Sequence, residues 1–417
     1  MTMATRTGSA RLTTRAAAEA YVGGVCFKLG PPRLVGAELE WLTSTPDGGR
    51  PRPEDFAVAL GPHAPSSIVP DTPARPLPGG SVVTLEPGGQ IELSSAPMSS
   101  VEELSAALTA DADRLERLLA ESAISMRSGA ADTERAAERI LPASRYRAMQ
   151  DRFDRIGPFG RLMMCNTTAT QVSVDAGADE DEIARRWRAL YAIGPAMVAA
   201  FACSPRLAGI PGGRWASQRM RTWFELDPGR TAPPLLSDPI GDYAKWAVDA
   251  PLLCVRGGCG GRPDDDWSVP GDASFAEWIA GGLDSVIGRG PTLSDLDYHL
   301  TTLFPPVRAT GYFEVRYLDA QPGTGWRTPL AALFALFGDP ATVDEATAIA
   351  APTAGRWRCA AELGLIEPEL RTAAAALLDL AASRSGTFAP DLDVAAERCR
   401  RGRTVTGEPA GTKVARR

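Results

Sequence analysis

Four stretches of the chain alternate apolar and polar residues, and each predicts a β-strand with one dry and one wet face. In Val35–Leu42, V-G-A-E-L-E-W-L, Glu38 and Glu40 share a face while Ala37, Leu39 and Trp41 take the other. Residues 84–97, T-L-E-P-G-G-Q-I-E-L-S-S-A-P, turn at Pro-Gly-Gly; Gln90 and Glu92 then repeat the pattern around Ile91 and Leu93, with Glu86 entering the turn. Residues 161–175 predict a third strand, with Gln171, Ser173 and Asp175 opposite Val172 and Val174. Residues 307–319, V-R-A-T-G-Y-F-E-V-R-Y-L-D, predict a fourth, with Tyr312, Glu314, Arg316 and Leu318 opposite Phe313, Val315 and Tyr317.

Between these strands the period changes to that of helices. An Ala-rich run at 14–28 predicts a helix broken at Gly23-Gly24, and Ser99 or Ser100 followed by Glu102 and Glu103 caps a helix reaching residue 122. A short strand at 124–127 and a helix at 144–155 follow. Residues 179–203 predict a long helix whose Trp187 and Tyr191 read as core packing. Beyond it come a helix at 242–248, a strand at 251–256 and helices at 275–281 and 292–304. Residues 44–80, rich in Pro and Gly, predict an irregular connection of a length typical of lids and binding loops. Strands interleaved irregularly with helices predict an α+β fold with an antiparallel sheet. The expected organisation is a catalytic body over 12–325, C-terminal helices over 326–402 packed on the same domain, and flexible tails at 1–11 and 403–417.

Composition narrows the function. The 417 residues carry a net charge of −7, and the basic residues are scattered rather than gathered on one face, which argues against a nucleic-acid partner. No apolar run is long enough to span a membrane and the N-terminus lacks a secretory core, so the expected location is the cytoplasm. Seven cysteines at irregular spacings, without a C-x-x-C pair, predict reduced thiols rather than a disulfide framework or zinc site. Only His63 and His299 are present, which removes a multi-histidine metal centre and leaves a Ser-His-Asp arrangement unsupported. The glycines of 257–261 lack a following G-K-S/T, so they form no Walker loop. Chemistry falls to carboxylates, arginines and backbone.

If the four strands share a sheet, Glu38, Glu40, Glu86, Glu92, Gln171, Glu314 and Arg316 converge on one face. One reading is an ordinary solvated face. The other is a cation site, because like charges opposed across strands repel and buried carboxylates need a partner. Oxygen donors without His or Cys select Mg²⁺ or Mn²⁺, in more than one copy. Glu314 and Arg316, two apart on a strand, read either as an internal ion pair or as a shared ligand for metal and phosphate. Arg219, Arg221 and Arg230 around Trp223 read either as a solvated loop or as the grip on a small carboxylate. Metals and arginines without a Walker loop suit phosphoryl transfer from ATP to an acid.

The segments G-A-E-L-E, L-E-P-G-G-Q-I-E-L-S-S-A-P, T-Q-V-S-V-D, S-Q-R-M-R-T-W and D-Y-H-L-T-T-L-F-P-P-V-R-A-T-G-Y-F-E-V-R-Y-L-D resemble the plant-type glutamate-cysteine ligases. The Arg- and Ala-rich composition is similar to the actinobacterial branch that begins ergothioneine synthesis. The resemblance implies a glutamine-synthetase-like fold, a funnel-shaped antiparallel sheet flanked by helices. It also implies that ATP phosphorylates the γ-carboxylate of L-glutamate and that the amine of L-cysteine then attacks, giving γ-glutamylcysteine, ADP and phosphate. On the family's motifs Glu38, Glu40, Glu86, Glu92 and Glu314 fall on Mg²⁺ ligands, Arg316 on a phosphate contact, Arg219 and Trp223 on the glutamate-binding segment, and Gln171 on a polar contact nearby. The pattern departs at Asn166, where the family carries a second glutamate-binding arginine; Arg161 or Arg221 is the expected substitute. A ligase of the same fold using another amine, and a non-catalytic ATP or glutamate sensor, are the competing expectations.

Overall fold

Among the described residues, seven strands form one open antiparallel sheet: β1 (Val35–Ser44), β2 (Val82–Leu85), β3 (Ile91–Ser94), β4 (Ser125–Arg127), β5 (Ala169–Asp175), β6 (Val307–Ala309) and β7 (Tyr312–Asp319), ordered β2-β3-β1-β5-β7-β6 with β4 on the far end of β1. They belong to a computed structural model that describes residues 11–30, 34–257 and 263–411. Register follows from alternation, since a one-residue slip would turn every apolar side chain to the wrong face. Ala37, Leu39, Ile91, Leu93, Val172, Val174, Phe313 and Val315 are buried on the dry face, covered by the helices Glu180–Phe201 and Val101–Ala120. β1 is central: Glu38 sits between Ser94 and Gln171, and Glu40 opposes Glu92.

The helices end where their sequence says they should. Ser100 and Asp179 cap the two long ones, accepting from the N–H groups of Glu103 and Glu182. Trp187 and Tyr191 are core residues, as expected. The C-terminal helices dock on Glu180–Phe201. Gly194 is required there, because a Cβ would stand 2.0 Å from the Trp357 ring. Leu93 on the sheet and Leu370 and Leu392 in the C-terminal helices belong to one continuous apolar cluster. Residues 403–411 fold back, with an Arg403–Pro409 bridge and a bond from the Arg214 guanidinium to the Gly411 carbonyl. The remaining tail residues 1–10 and 412–417, and the glycine-rich 258–262, lie outside the described residues.

Several expectations are corrected. Residues 161–166 are helical, the end of Phe159–Asn166, with the strand starting only at Ala169; short apolar runs do not separate helix from strand, and Leu and Met favour helix. The run 307–319 is a hairpin, reversed at Thr310-Gly311, where Gly311 has φ +88°. Residues 251–256 hold a single bridge, Pro251–Ser274, and no strand. Gly23-Gly24 leave the helix Arg15–Cys26 unbroken, since two glycines weaken a packed helix without ending it. Residues 44–80 are not wholly irregular: they contain a helix, Pro53–Leu60, and a short helical turn, Gly61–His63, and Arg50 donates to the Gly88 carbonyl. Within the Arg-rich 204–231, residues 204–217 are irregular, whereas Arg219, Arg221 and Trp223 lie on the helix Gln218–Leu226 and Arg230 on the helix Pro228–Thr231.

Candidate active site

The wet face of the sheet floors a cavity of about 250 Å³. Glu38, Glu40, Glu86, Glu92, Gln171, Arg219, Trp223 and Arg316 all line it, so eight sequence-derived candidates meet in one place. β1 contributes Glu38 and Glu40, β3 Glu92, β5 Gln171 and β7 Arg316. Glu86 opens the tight turn between β2 and β3. Gly88 in that turn allows direct contact with the helix Phe159–Asn166, since a Cβ would lie 2.4 Å from the Cys165 carbonyl oxygen.

The carboxylates are crowded. Ala169 N–H and Gln171 Nε2 donate to Glu40 at 2.9 and 3.1 Å, and the Thr84 hydroxyl donates to Glu92. These bonds do not neutralise the charge. Burial, then Glu92 and Glu314, push the Glu38 carboxyl up to about 8. Burial, then Glu86, push Glu92 up to about 7. Burial and the Glu92 and Glu86 charges raise Glu40 well above the ordinary range, and burial raises Glu86. Opposite signs hold at the neighbouring arginines. Burial works to raise Glu314, but Arg308 and then Arg316 outweigh it and hold the carboxyl below its usual range. Arg308 donates at 2.7–3.1 Å and Arg316 closes the other side.

Glu314 is therefore not on the cavity surface; with 2% exposure it stands behind two guanidiniums and aims them. Asn166 is also withdrawn. It is fully buried, accepts from Arg50 and donates to the Arg135 carbonyl, and it is not among the residues that line the cavity. Neither expected substitute reaches the cavity: Arg161 pairs with Asp154, and Arg221 donates to the Pro211 and Gly212 carbonyls. His299 is buried, bonded to the Ala247 carbonyl, stacked near Phe275 and lowered by burial to about 3, a packing residue.

Sequence reasoning missed Arg308, Arg145, Tyr146, Met149, Met163, Thr301 and Phe304, all on the cavity wall. The Thr-Gly pair at 310–311 was the available signal for Arg308, because a hairpin there lays Arg308 across from Glu314. The others sit on helices or at helix ends, where a side chain facing a cavity has the same spacing as one facing solvent.

The cavity's unpartnered atoms sort by sign. Gln90 Oε1 and Gln171 Oε1 are buried acceptors without donors, while Trp223 Nε1 and Arg316 Nε are buried donors without acceptors. Unsatisfied oxygens beside repelling carboxylates fit a hard cation, and orphaned N–H groups fit an anion. As placed, no three His, Cys, Asp or Glu side chains among the described residues are gathered tightly enough to enclose an ion.

Comparison with known proteins decides the family. The model of glutamate-cysteine ligase family 2 (GCS2) matches residues 34–417. The chain belongs to this family. Among similar members, the glutamate–cysteine ligase EgtA of Mycobacterium tuberculosis is 38% identical over 385 residues, covering 90% of this chain and 85% of that protein. EgtA of Mycolicibacterium smegmatis is 38% identical over 378 residues, 89% of this chain and 85% of its own. The chloroplastic glutamate–cysteine ligase of Medicago truncatula is 33% identical over 255 residues, 60% of this chain and 48% of the plant protein. A solved structure of the Francisella tularensis glutamate–cysteine ligase in complex with AMP shares the fold at TM-score 0.55 and 12% identity, covering 91% of this chain and 84% of that one. As a family 2 chain it carries the open antiparallel sheet flanked by helices that the resemblance implied. None of its described helices is long and apolar enough to cross a membrane.

The raised carboxylates set a pH dependence. A carboxyl whose folded value lies above its ordinary one stabilises the fold fully below about pH 4, and that contribution is lost as pH rises through the folded value. For Glu92 and Glu38 the loss falls between about pH 5 and 8. Metal-free protein should therefore melt lower at pH 8.5 than at pH 5.5, by roughly 1 °C for each kcal/mol lost in a chain of this size. Mg²⁺ should restore more of the difference at pH 8.5 than at pH 5.5. Differential scanning calorimetry with and without EDTA measures both, and a flat profile would count against the carboxylate cluster.

Proposed function

We infer that the protein is an ATP-dependent glutamate–cysteine ligase that activates the γ-carboxylate of L-glutamate as an acyl phosphate and transfers it to the amine of L-cysteine, releasing ADP and phosphate. The observation that carries this is the meeting of four crowded glutamates with Arg219, Arg308 and Arg316 around one cavity in a chain of this family. A cavity of about 250 Å³ is below the range of about 300–1,000 Å³ usual for drug-sized ligands and suits amino-acid substrates at the sheet, with the nucleotide entering by its phosphates.

Glu38, Glu40, Glu86 and Glu92 would hold Mg²⁺, with the Gln90 and Gln171 oxygens available beside them. When bound, the ion offsets charge on the transferring phosphate. The protein's own groups do the rest. Arg316 and Arg308, aimed by Glu314, present positive charge to the phosphate. Arg219 lies 5.6 Å and Arg316 5.4 Å from the centre of the Trp223 ring, so two guanidiniums meet one indole, which adds its own free N–H. This arrangement suits the glutamate carboxylates. Once the acyl phosphate forms, a weak amine nucleophile suffices, and positioning it is the remaining task. The product, γ-glutamylcysteine, would serve ergothioneine biosynthesis.

The test is ADP and phosphate release with glutamate and cysteine together and with each omitted. The ligase reading requires release that depends on glutamate and is completed by cysteine. Tight ATP binding without release would instead make the chain a sensor.

A further inference from the structure

The strand that carries Arg316 ends on a carboxylate that the chemistry above leaves unused. In β7 Phe313, Val315 and Tyr317 are buried, and Asp319 continues the same alternation at 2% exposure. A buried carboxylate is costly unless donors and a counter-charge surround it. Asp319 has both. The Cys203 N–H and the Ser204 hydroxyl donate to its Oδ2 at 2.9 and 2.8 Å, and the Ser217 hydroxyl donates to its Oδ1 at 2.8 Å. Three converging donors favour the ionised form, against the burial that raises the carboxyl. The cation beside it is Arg219, whose Nη1 stands 3.9 Å from Oδ1.

Both serines pass this contact on to the helix Gln218–Leu226. Ser217 is its N-cap: Oγ accepts from the Met220 N–H at 3.0 Å while donating to Asp319. Ser204 Oγ accepts from the Arg219 N–H at 3.2 Å while donating to the same carboxylate. The first turn of the helix is thus tied to the end of β7, and its dipole favours the negative charge there. The guanidinium is held differently. Arg219 Nη2 donates to the Arg316 carbonyl at 2.7 Å, and Nη1 meets the Met220 sulfur at 3.4 Å. At 3.9 Å Asp319 offsets a charge that burial disfavours, yet it lies beyond hydrogen-bond distance of Nη1. A bidentate pair such as Arg289–Asp295, at 2.6 and 2.8 Å, would instead commit the donors to the protein.

Resting on the ligase reading above, we propose that Asp319 is the positioning residue of Arg219. Through Ser204, Ser217 and its own charge it fixes the first turn of the helix Gln218–Leu226 against the end of β7, and it keeps the Arg219 guanidinium charged and open to a glutamate carboxylate. Asp319 and both serines are absent from the cavity wall, so they act only through the groups they hold. Arg219 and Arg316 stand 97 residues apart in the chain, and Asp319 joins the two segments that carry them.

Steady-state kinetics of D319N, with ATP, glutamate and cysteine each varied in turn in the presence of Mg²⁺, tests this. Asparagine keeps the shape, removes the charge and sets an amide N–H among donors. The KM for glutamate should rise about 10- to 100-fold, the scale on which a displacement of about 1 Å at a binding group is felt, while kcat at saturating glutamate and the KM for ATP move by less than about threefold. S217A and S204A, each losing one bond to Asp319, should raise the same KM by about 2- to 10-fold. R219K should raise it by itself, and D319N added to R219K should raise it little further, because Asp319 acts through the side chain already altered. The proposal is overturned if D319N leaves the KM for glutamate unchanged or raises those for glutamate and ATP together, if R219K leaves it unchanged, or if the R219K and D319N effects multiply. Should D319N fail to fold, an unchanged KM for glutamate in both serine variants overturns it. Absence of any glutamate- and cysteine-dependent ADP formation by wild type would sink the ligase reading itself, which is a different result.

Discussion

Glu92→Gln should lower glutamate- and cysteine-dependent ADP formation by about 10²–10³-fold while raising the melting temperature of the metal-free protein at pH 8. The two effects have one cause. Glu92 opposes Glu40 across β1 and β3 and shares its surroundings with Glu86 and Glu38. Its charge is wanted for the reaction and unwelcome in the resting fold. Glutamine keeps the shape, still accepts from Thr84, and gains an amide that donates to neighbouring carboxylates. It also removes the repulsion that pushes Glu92 up to about 7 and helps raise Glu40. The stabilising response to Mg²⁺ should shrink with the activity. Coupled-enzyme kinetics and calorimetry on the same preparation decide it: turnover within tenfold of wild type, or a lower melting temperature at pH 8, would refute the role given to Glu92.

Such trade-offs explain why part of this site is readable in the chain and part is not. A strand's two-residue period assigns each side chain a face as soon as one face is known to be dry, and Ala37, Leu39, Val172 and Val315 make that plain. Glu38, Glu40, Glu92, Gln171 and Arg316 were therefore placed correctly from spacing alone. Glu86 followed because its turn must bring it to the same edge. Spacing fails where a turn changes partners. Read as one strand, 307–319 puts Arg308 far from Glu314; as a hairpin it puts them face to face. It fails again on helices, whose polar positions look alike whether they meet water or a cavity. Arg145 and Met149 became visible only when the helix Ser144–Ile156 was seen against Thr301 and Phe304. Asn166 shows the converse: a residue whose sequence neighbours belong to the site, but whose side chain is spent on Arg50 and Arg135.

Glu314→Gln should also abolish turnover, by at least about 10²-fold, yet with the opposite effect on stability. The side chain is 2% exposed and accepts from Arg308 and Arg316 together, both only slightly exposed themselves. Neutralising it leaves two guanidiniums near each other without their shared counter-charge, and breaking a buried pair in this way costs about 3–5 kcal/mol. Chemical denaturation at pH 7 should register that loss, while Glu92→Gln under the same conditions registers none. The Mg²⁺-dependent gain in melting temperature separates the roles further. If Glu314 aims arginines, the gain survives in Glu314→Gln and shrinks in Glu92→Gln. A Glu314→Gln protein as stable as wild type that has lost its response to Mg²⁺ would return Glu314 to the metal ligands, where the sequence motif alone had put it, and would leave Arg308 and Arg316 without their anchor in this account.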